Sequence, residues 1–202
     1  MSLIKLSGNP SGTGAFTIAA PNSNTDRTLT LPDATGTVVT ADGSGNIATT
    51  SITPSAGIYL GGSGSANLLD DYEEGTWTPT VLYNGSDTGQ TYTHQVGTYT
   101  KVGRAVHYQA YVQVLTNSSA TGSLSVGGLP FTSSTATNVV TVGSAALDNA
   151  AASLDQPVGR VGTNTTQVLV VAGTGANNWN TLDNSVRGSN FRVYVAGHYI
   201  TD

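Results

Sequence analysis

This chain of 202 residues has no cysteine and very few charged residues. The lack of cysteine excludes disulfides, thiolate metal sites and a cysteine nucleophile together. Charged residues make up 9% of the chain, against about 25% in an ordinary soluble domain. Threonine, serine, asparagine and glycine must therefore cover the surface. Such a surface suits the solvent face of pleated sheets and is more typical of extracellular β-proteins than of intracellular enzymes.

The sequence also lacks a basic stripe and a long apolar run. Its seven Lys and Arg residues are scattered singly, and its pI is near 4.9. Nucleic acid is not expected as a partner, because binding it needs clustered cations that displace counterions. No window approaches the roughly 18 uninterrupted apolar residues of a membrane span. The first residues show no secretory apolar segment. We therefore expect neither membrane insertion nor a signal peptide.

The chain separates by composition into three zones, residues 1–40, 41–68 and 69–202. The first zone contains strand-length apolar runs that are too short to close a core of their own. Their exposed edges need cover from other chains or from other turns of the same chain, and we expect extended strands in an oligomeric fibre. The second zone is rich in Gly and Ser and predicts either a flexible linker or an ordered shaft. The apolar runs of the first zone centre on Phe16, Ile18, Leu29, Leu31, Val38 and Val39.

Alternation of apolar and polar residues strengthens in the third zone. Apolar residues fill the even positions from Val102 to Val114 except at Arg104, which predicts one long half-buried strand over Thr98–Leu115. The Asn84-Gly85 pair predicts a tight type I′ turn. These signals indicate an all-β fold, an antiparallel β-sandwich or jelly roll. Further strands are predicted at Trp77–Tyr83, Gln90–His94, Ser123–Gly127, Asn138–Val142, Thr166–Ala172 and Asn190–Ile200.

The segment from Ser144 to Leu154 has two interpretations. Ser144 could cap an alanine-rich helix that ends before Pro157. Asp148-Asn149 could equally be a turn between two strands. In an all-β chain we favour the turn.

No motif nominates a catalytic or cofactor-binding residue. The acidic run Asp70, Asp71, Glu73 and Glu74 lacks the frame of a calcium loop and predicts a solvated junction before the β-domain. Trp77 follows it and predicts a packed anchor for the first strand. The three histidines, His94, His107 and His198, lie far apart in the sequence and match no metal motif. We expect no metal, no cofactor and no enzyme activity.

The best candidate binding segment surrounds Trp179. Asn178 and Asn180 bracket this tryptophan in a stretch between two predicted strands. An exposed indole offers an apolar face to a sugar ring, and the amides can bond its hydroxyls. The alternative is a tryptophan packed in an ordinary contact between loop and strand. We take Trp179, Asn178 and Asn180 as the candidate ligand-binding residues.

Several blocks of the sequence resemble fibre and appendage proteins of tailed bacteriophages. The blocks are TLTLPDATGTV (28–38), DDYEEGTWTPT (70–80), YTKVGRAVHYQAYV (99–112) and GLPF (128–131). The resemblance implies a homotrimer on the virion, made in the host cytoplasm, whose residues 1–40 dock on other virion proteins. It further implies that the β-domain of residues 69–202 points toward the host surface, where a glycan is the expected partner.

Residues 132–202 match no block of that family, and receptor contacts are expected there. The chain is also short for a tail fibre. A head fibre or capsid decoration protein with a mainly structural role is therefore the main alternative, and a polysaccharide depolymerase is the third interpretation.

Overall fold

The chain divides into two compact units, Met1–Ile52 and Thr53–Asp202. The computed structural model describes residues 51–117, 119–151, 153–173 and 179–202, and in the N-terminal part 11–15, 17, 22–26, 28, 44–47 and 49. The apolar runs predicted to form strands in residues 1–40 lie outside the described residues. The boundaries predicted at residues 40 and 68 thus remain predictions.

The second unit is built almost wholly of β-strands. Among the described residues its helices are two single 3-10 turns, Ser65–Asn67 and Asn184–Val186. No helix in the described part of the chain is long and apolar enough to span a membrane. The strands are β1 (Ile58–Tyr59), β2 (Leu68–Leu69), β3 (Tyr72–Trp77), β4 (Thr80–Tyr83), β5 (Thr91–Val102), β6 (Ala105–Thr116), β7 (Leu124–Gly127), β8 (Thr141–Ala150), β9 (Asp155–Val161), β10 (Gln167–Gly173), β11 (Trp179–Thr181) and β12 (Arg187–Ile200).

All ten strands from β3 to β12 join one antiparallel sheet. Nine of them follow the order β3-β5-β6-β12-β8-β9-β10-β7-β4, and β11 pairs with the outer part of β10. β1 and β2 form a separate small hairpin that precedes the sheet. The sheet curls on itself, so that β4 contacts β6 although five strands separate them in the sheet order. The predicted all-β antiparallel fold is confirmed, and both layers of the sandwich belong to one sheet.

The core fills the inside of this curl. Even-numbered residues of β6, from Val106 to Val114, point inward, as the alternation predicted. They meet Val81 of β4 and Val126 of β7, which come from the opposite side of the curl. The largest fully buried side chains include Tyr83, Leu124, Phe191 and Tyr199.

The strand predicted over Thr98–Leu115 is wrong in one respect. The chain reverses at Gly103-Arg104, and β5 and β6 pair from Val102 opposite Ala105 onward. Gly103 has a φ of 54°, while Arg104 keeps a negative φ. A positive φ at only the first central residue is the pattern of a type II′ hairpin turn, where glycine fits best. As a result Val102 lies on the exposed face, whereas Val106 is fully buried.

Two other local predictions have different outcomes. Asn84 and Gly85 both have positive φ, at 50° and 82°, so the type I′ turn is confirmed. It joins Tyr83 to Ser86 by two backbone hydrogen bonds, but β4 and β5 are not neighbours in the sheet. Ser144–Ala150 belongs to β8, so both the helix and the turn at Asp148-Asn149 are wrong. Leu147 packs inward and Ala146 outward, a strand periodicity in an alanine-rich segment.

Candidate functional site

The chain enters and leaves the sheet at one end, which we call the base. The backbone N–H of Gly103 donates to the carbonyl of Asp71 at 2.7 Å, just before β3 begins. The N–H of Thr201, just after β12, donates to the carbonyl of Arg104 at 2.9 Å. Both bonds thus use the same β5–β6 turn. The β1–β2 hairpin lies here too, because Ser65 and Leu68 line one depression with Arg104 and Asp202.

Several other strand ends lie at the opposite end of the sheet, which we call the tip. Thr91 pairs with Thr116 where β5 begins and β6 ends. Antiparallel pairing also brings the end of β8, the start of β9 and the end of β10 to this end. Twelve residues of β6 at about 3.4 Å each separate the tip from the base by roughly 40 Å.

Trp179 lies at the tip. It is the first residue of β11 and pairs with Gly173, the last residue of β10. Its side chain is 54% exposed, so it is not one of the core residues. Asn180 is the next residue of β11, is exposed and pairs with Ala172. Asn178 lies outside the described residues. The exposed indole favours the sugar-platform interpretation over a packed contact, and ligand binding by these residues remains a prediction.

A second aromatic feature lies on the outer face of the sheet. The rings of Tyr111 in β6 and Tyr194 in β12 stack in parallel with centres 4.9 Å apart. They border a groove of about 350 Å³ whose floor carries small side chains such as Ala146 and Ala196. Val96, 55% exposed, extends the apolar surface along β5. Tyr111 occupies an odd position of β6, on the outer face, and the β6–β12 register brings Tyr194 beside it.

The acidic run at the base is engaged in local contacts. Asp71 forms an ion pair with Lys101, a lysine only 8% exposed. Glu73 accepts a hydrogen bond from the Tyr99 hydroxyl, and this bond raises the pKa of Tyr99 above its usual value. Tyr72 donates in the same way to Glu74, again with a raised pKa. Asp71 and Glu73 thus connect the start of β3 to β5, whereas the Tyr72–Glu74 bond lies within β3.

Asp202 provides a further polar contact at the base. Its carboxylate accepts hydrogen bonds from the Ser134 hydroxyl at 2.6 Å and the Thr135 hydroxyl at 2.7 Å. These bonds stabilise the charged form and lower the pKa of Asp202 to about 2. Ser134 also donates its backbone N–H to the carbonyl of Ile200. The segment after β12 is therefore tied to the 133–135 loop.

The buried tyrosines play a structural part. Burial raises the pKa of Tyr108 and of Tyr199 to about 12, so both remain neutral phenols. The Tyr199 hydroxyl donates to the carbonyl of Phe131 at 2.9 Å. Both rings belong to the core, and the Tyr199 hydroxyl has the hydrogen-bond partner that a buried phenol usually finds.

The fold brings two of the three histidines together. His107 in β6 and His198 in β12 are directly opposite in the register, and both are exposed on the outer face. Their ring centres are 5.8 Å apart. His94 lies elsewhere on that face, next to Tyr111. No group of three or more His, Cys, Asp or Glu side chains within the described ranges is close enough to hold a metal.

Comparison with known proteins gives one informative likeness. No protein-family model and no curated protein matches the chain. Among solved structures, the Dettilon tailspike protein (gp208) superimposes with a TM-score of 0.52 at 19% sequence identity. The match covers 64% of this chain and 24% of the tailspike, so the chain spans about a quarter of that protein's length. At this identity the likeness concerns architecture, and the β-domain shares its fold with part of a tailspike.

Proposed function

We propose that the chain is a structural protein of a bacteriophage tail that binds a glycan on the host surface. In this proposal it forms a homotrimer on the virion, and residues 1–40 dock on other virion proteins. Residues 41–68 connect that attachment to the β-domain. The tip of the β-domain contacts the host, and Trp179 and Asn180 there, together with Asn178 before them in the sequence, are the candidate ligand-binding residues.

The proposal rests on the orientation of the β-domain, whose N-terminal side and exposed Trp179 lie at opposite ends of the sheet. The segment that precedes β3 joins the sheet at the base, beside Gly103, whereas Trp179 is exposed at the tip. A domain attached through its N-terminal side would therefore present Trp179 away from the particle. The fold likeness to a tailspike supports the same assignment.

A binding role is proposed rather than a catalytic one. Glycoside hydrolysis needs two carboxyl groups about 5 to 9.5 Å apart that flank the scissile bond of the substrate. The acidic residues concentrated at the start of β3 are instead bonded to Lys101, Tyr99 and Tyr72. They also lie at the base, far from Trp179.

Binding to bacterial cells tests the proposal. The full chain, labelled with a fluorophore, would be titrated against a panel of bacteria that differ in surface polysaccharide. We expect saturable binding to a subset of strains, which disappears when periodate destroys their glycans and when Trp179 is replaced by alanine. Uniform absence of binding across the panel would contradict the receptor-binding role.

Two further readouts separate the competing roles. A capsid decoration protein predicts particles that lack this chain yet adsorb normally and lose stability. A depolymerase predicts release of reducing sugar from purified polysaccharide. Sedimentation equilibrium tests the trimer, for which we expect three times the mass of 20.5 kDa. A single-chain mass at micromolar concentration would contradict the trimer.

A further inference from the structure

We propose that His107 and His198 together bind a late first-row divalent cation, such as Zn²⁺, Ni²⁺ or Cu²⁺, through one ring nitrogen each. Neutral imidazole is a preferred ligand of these ions. The site lies on the outer face of the sheet and is separate from the tip residues proposed to contact a glycan.

The strand register carries the inference. His107 and His198 are cross-strand partners on the β6–β12 ladder. Directly opposite residues on one face of an antiparallel pair have Cβ atoms about 4.5 to 5.5 Å apart. Nine aligned residue pairs, from Arg192 opposite Gln113 to Ile200 opposite Ala105, fix this ladder without a shift. The two Cβ atoms are thus held on a rigid frame.

The distance between the rings fits a shared ion. A ring nitrogen bound at about 2.1 Å puts each ring centre roughly 3.2 Å from the metal. Two such ligands in a tetrahedral site have ring centres about 5 Å apart. The observed distance is 5.8 Å, and the rings are inclined by 37°. The observed spacing of the ring centres therefore exceeds the shared-ion value by less than about 1 Å.

The surroundings leave both imidazoles available. In the described part of the chain neither ring has a hydrogen bond or an ion pair, and both are exposed. Thr100 pairs with His107 on the β5 side, and Glu74 pairs with Thr100 on β3. The row across the sheet therefore reads Glu74, Thr100, His107, His198. On the β3 side this row ends in a carboxylate, and on the other side of β12 the next two strands place Val142 opposite Arg160. Water completes the coordination of an ion at this exposed position.

Metal titration of the full chain tests the site. Isothermal titration calorimetry with Zn²⁺ and with Ni²⁺ alone, at pH 7.5 in a buffer that does not chelate, measures stoichiometry and affinity. We expect one ion per chain and no comparable binding of Mg²⁺, which prefers oxygen ligands. Electron paramagnetic resonance of the Cu²⁺ form should show coupling to two nitrogens.

Three variants locate the ligands. His107→Gln and His198→Gln should each weaken binding at least about tenfold. His94→Gln is the matched control, because His94 is also exposed on the outer face but has no histidine partner. It should retain the affinity of the unmodified chain. Equal melting temperatures without metal would verify that all three variants fold.

The proposal would be overturned by absence of one-to-one binding at pH 7.5. Equal weakening by His94→Gln and His107→Gln, or unchanged affinity in both pair variants, would also overturn it.

Discussion

The indole of Trp77 in β3 covers the backbone of Gly97, its cross-strand partner in β5. A Cβ at position 97 would overlap the five-membered part of the indole ring. Trp77 is only 8% exposed and belongs to the core. Glycine at position 97 therefore lets the tryptophan lie flat and fasten an edge strand to the sheet.

Replacing Gly97 with alanine should destabilise the domain. The added methyl group forces the indole off its site, and overpacking of this kind costs about 1 to 3 kcal/mol. Gly162→Ala is the matched control, since a Cβ there meets nothing within 4 Å and needs no positive φ. Urea unfolding of both variants measures the difference. Equal stability of the two would contradict this account of the Trp77–Gly97 contact.

Replacing each of the two tryptophans with alanine should affect different properties, binding in one case and stability in the other. Trp179→Ala should remove cell or glycan binding and change the melting temperature little, because its side chain is 54% exposed. Trp77→Ala should cost about 3 to 5 kcal/mol of stability, because it empties a core site. Thermal unfolding and cell binding are measured for both.

A sharp drop in the melting temperature of Trp179→Ala, with binding of the folded fraction unchanged, would remove the tip from consideration as the receptor site. Asn178→Ala should weaken binding less than Trp179→Ala does, by about 1 to 3 kcal/mol for a lost buried partner.

Acid should remove the contribution that Asp202 makes to the stability of the folded chain. Its pKa falls from an ordinary 3.8 to about 2 in the folded chain, mainly because the Ser134 hydroxyl bonds the carboxylate. A folded pKa below the unfolded one means that the stabilisation is complete above about pH 4 and is lost as the pH falls through 2. Asp202→Asn should therefore lower the melting temperature at pH 6, and the difference should vanish near pH 2. A difference that stays constant down to pH 2 would exclude this linkage.

Deleting residues 1–68 should leave a soluble β-domain that no longer attaches to the particle. The main sheet begins at Tyr72, and among the described residues its buried core begins at Trp77. Deleting residues 1–52 is the matched control, because it keeps the β1–β2 hairpin. Far-ultraviolet circular dichroism should show β-structure in both truncated proteins. Its loss in the shorter one alone would mean that the hairpin is required for folding.

The fold class could be predicted because local patterns carry it. The inward face of β6 follows directly from its alternation, and the Asn84-Gly85 turn follows from the need for positive φ at two positions. The same alternation hid the hairpin at Gly103. Val96, Val102 and Val106 all occupy even positions, so the sequence shows no change of pattern at the turn. In the structure, however, Val96 and Val102 of β5 face outward, whereas Val106 of β6 faces inward.

The features that the sequence did not predict depend on pairing between strands that are distant in the sequence. Pro157 suggested a break, yet it lies inside β9, where pairing with β8 starts only at the next residue, Val158. A proline is tolerated there because no neighbour on the β8 side needs its missing N–H. The His107–His198 pair was also hidden, since the register of β12 against β6 has no signature in either segment.

The shared β5–β6 turn at the base has an evolutionary consequence. Asp71 and Thr201 bond adjacent residues, so the chain that leads into the sheet and the chain that leads out lie side by side. A domain with neighbouring ends can be inserted into a loop of an unrelated protein, or exchanged for another domain, without disturbing the host fold. The stretch from Tyr72 to Thr201 is in this sense a transferable cassette. Grafting it onto a different protein requires a match at one short junction.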